Sequence, residues 1–366
     1  MGKFTRAQAC AITVGAALCT WSAAPGQAQQ QQAAARMAPA AGSSEIKIQQ
    51  IRRNVFMLLG DGANVVVQTE APAGEESFDS VYGAVQGTGI MVIDTGTTAM
   101  SDRLLAVIRS LSKGPIRYII NTSADPDHVG GNETLAKVSG GIVRGALGGR
   151  PAGPPLMILA HETVLERMGA PSGQQAAYTL DAWPTDVYAK DKEVFFNGGS
   201  TKIVHQPDAH TDGDSIVFLR RSDVIAAGEL FSTVGFPKID AAKGGHIRGV
   251  IDGLHQILEM AISGELEQGG TMIVPAHGRL ADEADVEFYR EMVEIVHDRI
   301  QDGVKNGQTL EQVKAARPAL EYEKRYSQPD WTADMFIEAV YKDLAASMKS
   351  AAKPAAPAKP AAPAKR

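Results

Sequence analysis

Twice along this chain the apolar positions run with the two-residue period of strands and then shift to the three-to-four spacing of helices. Ile46 to Val67 reads as short strands broken by a turn at Gly60-Asp61-Gly62, and Ala84 to Asp94 as a strand ending in Ile93-Asp94-Thr95-Gly96. Met100 to Leu111 places Leu104, Leu105, Val107, Ile108 and Leu111 on one helical face, and Ile116 to Ile120 is a short apolar run that enters the polar stretch Asn121 to Gly131. Downstream the pattern returns: Ser200 to His205, Asp214 to Arg220, Val224 to Ala227 and Thr271 to Val274 predict strands. Ile251 to Ile262 and Asp282 to Asp302 predict helices, and Leu310 to Lys349 two further helical pieces.

Two strand-rich halves, each followed by helices, predict an α/β, four-layer architecture: two sheets face to face with helices outside, an αββα sandwich in one continuous domain over residues 45–349. The Gly/Pro-rich stretch Ser139 to Pro155 is expected to form a mobile surface loop near the mouth of any site.

The two ends differ from this body. Lys3 and Arg6, the uncharged run Ala9 to Ala24 and the small residues around Gly26-Gln27-Ala28 predict a secretory signal over residues 1–28, followed by a polar Ala/Gln spacer to residue 44. The mature chain is then expected to be periplasmic or secreted. Both cysteines, Cys10 and Cys19, fall inside the leader, so any metal site must use His, Asp and Glu. Residues 350–366 repeat Ala, Pro and Lys and are expected to be a disordered tail. Leader and tail are basic, so the body between them is more acidic than the formal charge of −6 for the whole chain. That balance argues against nucleic acid as a partner. Between Gln29 and Lys349 no run is apolar and long enough to span a bilayer.

Chemistry-bearing residues gather at the ends of predicted strands. Asn121 to Asn132, NTSADPDHVGGN, packs Asp125, Asp127 and His128 into four positions. His210-Thr211-Asp212-Gly213-Asp214 precedes a strand, while Gly228-Glu229-Leu230 and Pro275-Ala276-His277-Gly278 each follow one. Strand ends hold side chains from distant sequence on rigid backbone, which suits a metal ion.

The order of these segments resembles the metallo-β-lactamase superfamily over roughly Ile46 to Leu344: Asp94-Thr95-Gly96, then Gly130-Gly131, His210-Thr211, Glu229 and His277-Gly278. The family's His-x-His-x-Asp-His motif is degenerate here, with Ser123 and Asp125 in place of its two leading histidines. The resemblance implies a first metal position built on those two residues and His210, and a second built on Asp127, His128 and His277, with Glu229 in place of the usual bridging aspartate. The second keeps the three-ligand count of a catalytic zinc. The altered first position favours harder ions such as Mn²⁺ or Fe²⁺.

The resemblance therefore implies a zinc-dependent hydrolase with one ion, in which metal-bound hydroxide attacks a small-molecule carbonyl substrate: a β-lactam amide, ester, lactone or thioester. Asp125 and Asp127 are the candidate catalytic carboxylates, Asp125 as base or water-orienting group. The alternative is a catalytically impaired binding protein on the same fold. Among the other histidines, His161 is expected to cap or pack, His205 to point away from the site, His246 to sit in an exposed loop, and His255 and His297 to lie on helices. Trp183 and Tyr188 would be packing residues or a wall over the site.

Overall fold

Alternate residues of each short apolar run face opposite ways, and that pleat builds two sheets with separate inner and outer surfaces. The computed structural model describes residues 45–70, 88–139, 155–170, 177–264 and 269–351. The first sheet runs in the order β1 (Lys47–Arg52), β2 (Val55–Leu59), β3 (Val65–Gln68), β4 (Ile90–Ile93), β5 (Ile116–Ile120), β6 (Met157–His161) and β7 (Asp186–Tyr188). It is antiparallel from β1 to β4 and parallel from β4 to β7. The second sheet has the order β12 (Met272–Val274), β11 (Val224–Ala226), β10 (Asp214–Leu219), β9 (Gly199–Gln206) and β8 (Lys192–Phe196). Only β11 and β12 pair in parallel there.

Period-two burial separates three apolar layers. Met91 and Ile93 of β4, with Tyr118 and Ile120 of β5, meet Val217 and Leu219 of β10 between the sheets. Ile90 and Val92, the alternates on β4, pack outward with Ile116 and Ile119 of β5 and with Leu104 and Ile108 of α1 (Ser101–Leu111). On the far side Ile216 and Ile225 pack with α5 (Ile247–Met260), α6 (Glu283–Lys305) and α9 (Ala333–Ala351). Each fully buried Leu or Ile side chain contributes about 1.5–3 kcal/mol, so three such layers fix the strand register firmly. The expected αββα sandwich is the observed one.

Several boundaries differ from expectation. α5 starts at Ile247, four residues before the expected start, because His246 closes its first turn from an extended conformation. The C-terminal stretch holds three helices, α7 (Leu310–Ala315), α8 (Glu323–Tyr326) and α9, since Pro318 and the turn at Ser327–Thr332 interrupt it. β7 and β8 were not expected. The signal at 1–28, the spacer at 29–44, the interior of the Ser139–Pro155 loop and residues 352–366 of the tail lie outside the described residues. Among the described residues no helix is long and apolar enough to cross a membrane.

Candidate metal centre

β4 ends at Ile93, and Asp94 adopts φ +58°, a left-handed conformation uncommon for a residue with a side chain. That turn aims its carboxylate at the loop after β5. Thr122 donates from its backbone N–H to Oδ1 at 2.8 Å and from Oγ1 to Oδ2 at 2.6 Å, and His128 Nδ1 lies 2.9 Å from Oδ2. His128 sits on the one-turn helix α2 (Pro126–Val129), where Pro126 occupies a first-turn position that needs no N–H partner. Gly130 and Gly131 follow and lead into α3 (Asn132–Val138), both with right-handed backbone, so a left-handed turn is not what selects them. Close approach is: a Cβ on Gly130 would lie 2.3 Å from Thr98 N, and one on Gly131 2.5 Å from Thr95 O.

Glu229, in the single turn after β11, and His277, after β12, complete the group. Glu229 Oε1 lies 2.9 Å from His128 Nε2 and 3.0 Å from His277 Nε2, and Asp127 Oδ2 is 3.6 Å from the latter. One ligand atom from each of Asp127, His128, Glu229 and His277 falls within 4.8 Å of all the others. A carboxylate oxygen facing two imidazole Nε2 atoms requires a proton on each. A divalent cation among these atoms would replace both protons, turning the rings from donors into ligands. Two imidazoles and two carboxylates, one ring backed by Asp94, suit an ion such as zinc. Burial works against charge on Glu229 and on His128. The hydrogen bonds from His128 and His277 nevertheless hold the Glu229 carboxyl well below the usual range, and the Asp94 and Glu229 carboxylates raise His128 well above the usual histidine value.

His210 and Asp125, expected to join the metal-holding set, lie against each other beside it. Asp125 precedes α2 in the position of a cap, yet its side chain does not cap. Its Oδ2 is 2.9 Å from His210 Nε2 and its Oδ1 3.2 Å from Lys243 Nζ. His210 Nδ1 is 3.1 Å from the Lys238 carbonyl, which can only accept, so both ring nitrogens carry protons. Burial would depress this imidazole, but the Asp125 hydrogen bond raises it to about 9. Burial likewise opposes charge on Asp125, yet His210 and Lys243 hold its carboxyl well below the ordinary range. Ser123 is fully buried, its Oγ accepting from the Asp125 N–H at 3.3 Å.

A cleft of about 300 Å³ opens on Asp127, Glu229 and His277. Its walls are the loop carrying Val234, Phe236, Pro237 and Lys238 and the segment carrying Gln328, Asp330 and Trp331 between α8 and α9. That segment is tied to the loop: Trp331 Nε1 donates to Pro237 O at 3.2 Å and Gln328 Nε2 to Val234 O at 2.5 Å. Sequence reasoning assigned no role to Asp94, Lys243 or Trp331. Asp94 was visible as part of the Asp-Thr-Gly turn, whereas Lys243 and Trp331 carry no local signal.

The remaining histidines lie elsewhere. His161 caps α4 (Glu162–Gly169) by accepting from Thr163 N, and its ring stacks on His205 at 3.7 Å between centroids. His205 Nε2 donates to the Asp212 carbonyl at 2.8 Å. His246, expected in an exposed loop, is half-exposed but bound to the buried Asp343 at 2.6 Å. His255 pairs with Glu294 and His297 with Asp298. Tyr188 is buried with its hydroxyl 3.0 Å from Ser215 Oγ, and Trp183 packs beside Val129, so both are packing residues rather than cleft wall.

Residues 78–279 match the family model described as the metallo-beta-lactamase superfamily. Among curated proteins none matches. Among solved structures, the chain is similar to the stereoselective inverting sec-alkylsulfatase Pisa1 from Pseudomonas sp., with TM-score 0.54 and 15% identity over 81% of this chain. The chain spans only 50% of that enzyme's length. It is also similar to a metallo-beta-lactamase from Pontibacter korlensis, with TM-score 0.48 and 13% identity over 68% of this chain and 99% of the other.

Proposed function

The chain belongs to the metallo-beta-lactamase superfamily, and from that premise we propose that it is an exported metal-dependent hydrolase acting on a small carbonyl compound. The observation that carries this reading is the convergence of His128 Nε2 and His277 Nε2 on Glu229 Oε1, beside Asp127, where the cleft opens. Export rests on the leader pattern Lys3, Arg6, Ala9 to Ala24 and Gly26-Gln27-Ala28.

Asp127, His128, Glu229 and His277 would hold one ion, zinc by the character of the donors. When bound, such an ion supplies Lewis acidity and a water of lowered pKa. The protein's own groups do the rest. Asp94 fixes the orientation of the His128 ring. Asp127, half-buried at the cleft, is the carboxylate available to orient water and take its proton, because both oxygens of Asp125 are committed to His210 and Lys243. Val234 and Trp331 offer an apolar surface to the part of the substrate that does not react, and the cleft volume suits a small molecule rather than a polymer.

The test is a hydrolysis panel of nitrocefin, a nitrophenyl ester, a lactone, a thioester and, given the activity named for the Pseudomonas enzyme, a secondary alkyl sulfate. Turnover of a carbonyl substrate by zinc-loaded protein, lost on chelation and in His277→Ala, is expected. Turnover of the sulfate alone, or carbonyl turnover indifferent to chelation, overturns the proposal.

A further inference from the structure

Lys243 is built into the site with more care than a surface lysine needs. It lies on the turn Asp240 to Gly245, which wraps His210: Asp240 N–H donates to His210 O at 2.9 Å, and Gly245 N–H donates to Asp240 O at 2.9 Å. A Cβ on Gly245 would stand 2.1 Å from His210 O, so the turn lies directly against that residue. The backbone of Lys243 is held on both sides. Its N–H donates to Asp240 O at 2.9 Å, and its carbonyl accepts from Asp212 N at 3.0 Å and from Arg167 Nη2 at 2.9 Å. Arg167 is itself ion-paired with Asp212. From this fixed base the ammonium reaches Asp125 Oδ1 at 3.2 Å and Asp240 Oδ2 at 3.0 Å.

We propose that Lys243 is a resident cation standing in for a metal ion beside Asp125 and His210, and that it limits the centre to a single ion. The inference rests on the metal-dependent reading of Asp127, His128, Glu229 and His277. Three features support it. Asp125 has no oxygen left without a partner, since His210 and Lys243 take one each. His210 directs Nε2 to Asp125 Oδ2 at 2.9 Å and Nδ1 to the Lys238 carbonyl at 3.1 Å, so an ion there has to displace the bond to Asp125. Lys243 Nζ stands at hydrogen-bond distance from both Asp125 and Asp240, so a divalent cation arriving beside Asp125 meets a positive charge already in place. With the lysine's charge removed, Asp125 and Asp240 keep their carboxylates without that ammonium, and the position attracts a cation again. Lys243 thus acts through Asp125 and His210 as a positioning residue.

The experiment is a calorimetric titration of the chelator-stripped full chain with Zn²⁺ alone. The wild type and Lys243→Arg are expected to bind one equivalent. Lys243→Met is expected to gain a second, weaker equivalent, and so is Lys243→Gln, which keeps a hydrogen-bond donor without the charge. Far-UV circular dichroism identifies which neutral variant is folded, and either one suffices. One equivalent in both the wild type and a folded neutral variant overturns this inference and leaves the single-ion reading intact. Two equivalents in the wild type also overturn it. None in the wild type overturns both.

Discussion

Asp94 Oδ2 lies 2.9 Å from His128 Nδ1, and this contact sets which face of the buried imidazole is presented to Glu229 and the cleft. The contact joins the end of β4 to the loop after β5, two parallel neighbours in the first sheet. The positive φ of Asp94 costs on the order of 1 kcal/mol or more, and its three side-chain hydrogen bonds, two with Thr122 and one with His128, hold it there.

Asp94→Ala is therefore expected to leave all four ligands in place and to weaken zinc affinity by about 10- to 100-fold, because the ring loses the group that fixes its tautomer and orientation. Competition against a fluorescent chelator measures it. An unchanged affinity would deny the contact that role.

Gly131→Ala tests the fit between the motif loop and the turn after β4. The added Cβ would meet backbone, Thr95 O at 2.5 Å, which cannot swing aside as a side-chain end can. The expected loss is about 1–3 kcal/mol, read from urea denaturation. A loss of stability within error of zero would mean that the two loops separate freely.

The His210–Asp125 pair predicts a pH dependence. The folded value of His210 is raised to about 9 from an ordinary 6.5, mainly because the Asp125 hydrogen bond overcomes the cost of burial. A raised histidine stabilises fully below its unfolded value and loses that contribution as pH climbs through its folded value. Stability of the chelated wild type is thus expected to fall between pH 6.5 and about 9, by on the order of 3 kcal/mol. His210→Gln should show a flatter profile over the same window. Urea midpoints across that range decide it, and a wild-type curve rising toward pH 9 would contradict the assignment.

Trp331→Ala removes part of the apolar wall contributed by the segment between α8 and α9. The expected kinetic signature is a roughly tenfold rise in KM with little change in kcat, the pattern of lost uniform binding. Trp331→Phe keeps a ring while losing the bond to Pro237 O, and should fall between the two. A drop in kcat alone would place the indole nearer the chemistry than its position suggests.

Much of this architecture was legible in the sequence because its signals are local. The run Ile116 to Ile120 and the helical stripe of Leu104, Leu105 and Ile108 face packed layers, and burial imposes the pattern on the residues. β7 and β8 were missed because they are edge strands: Asp186, Lys192 and Glu193 face outward enough to break the apolar run that marks an inner strand. At the site, His128, Glu229 and His277 were legible from their positions at strand ends. The fate of Asp125 was not. Its residue type permits a ligand, a base or an ion pair, and the partner that decides between them, Lys243, lies 118 positions away in a turn of alanines and glycines.

The central claim, that Asp127, His128, Glu229 and His277 form a metal centre, is tested most directly by the metal content of protein purified without chelator, measured by plasma mass spectrometry. The wild type is expected to carry about one transition-metal ion per chain, and His128→Ala and His277→Ala to lose it. Less than about a tenth of an equivalent in a folded wild type, or unchanged content in both variants, would contradict the account.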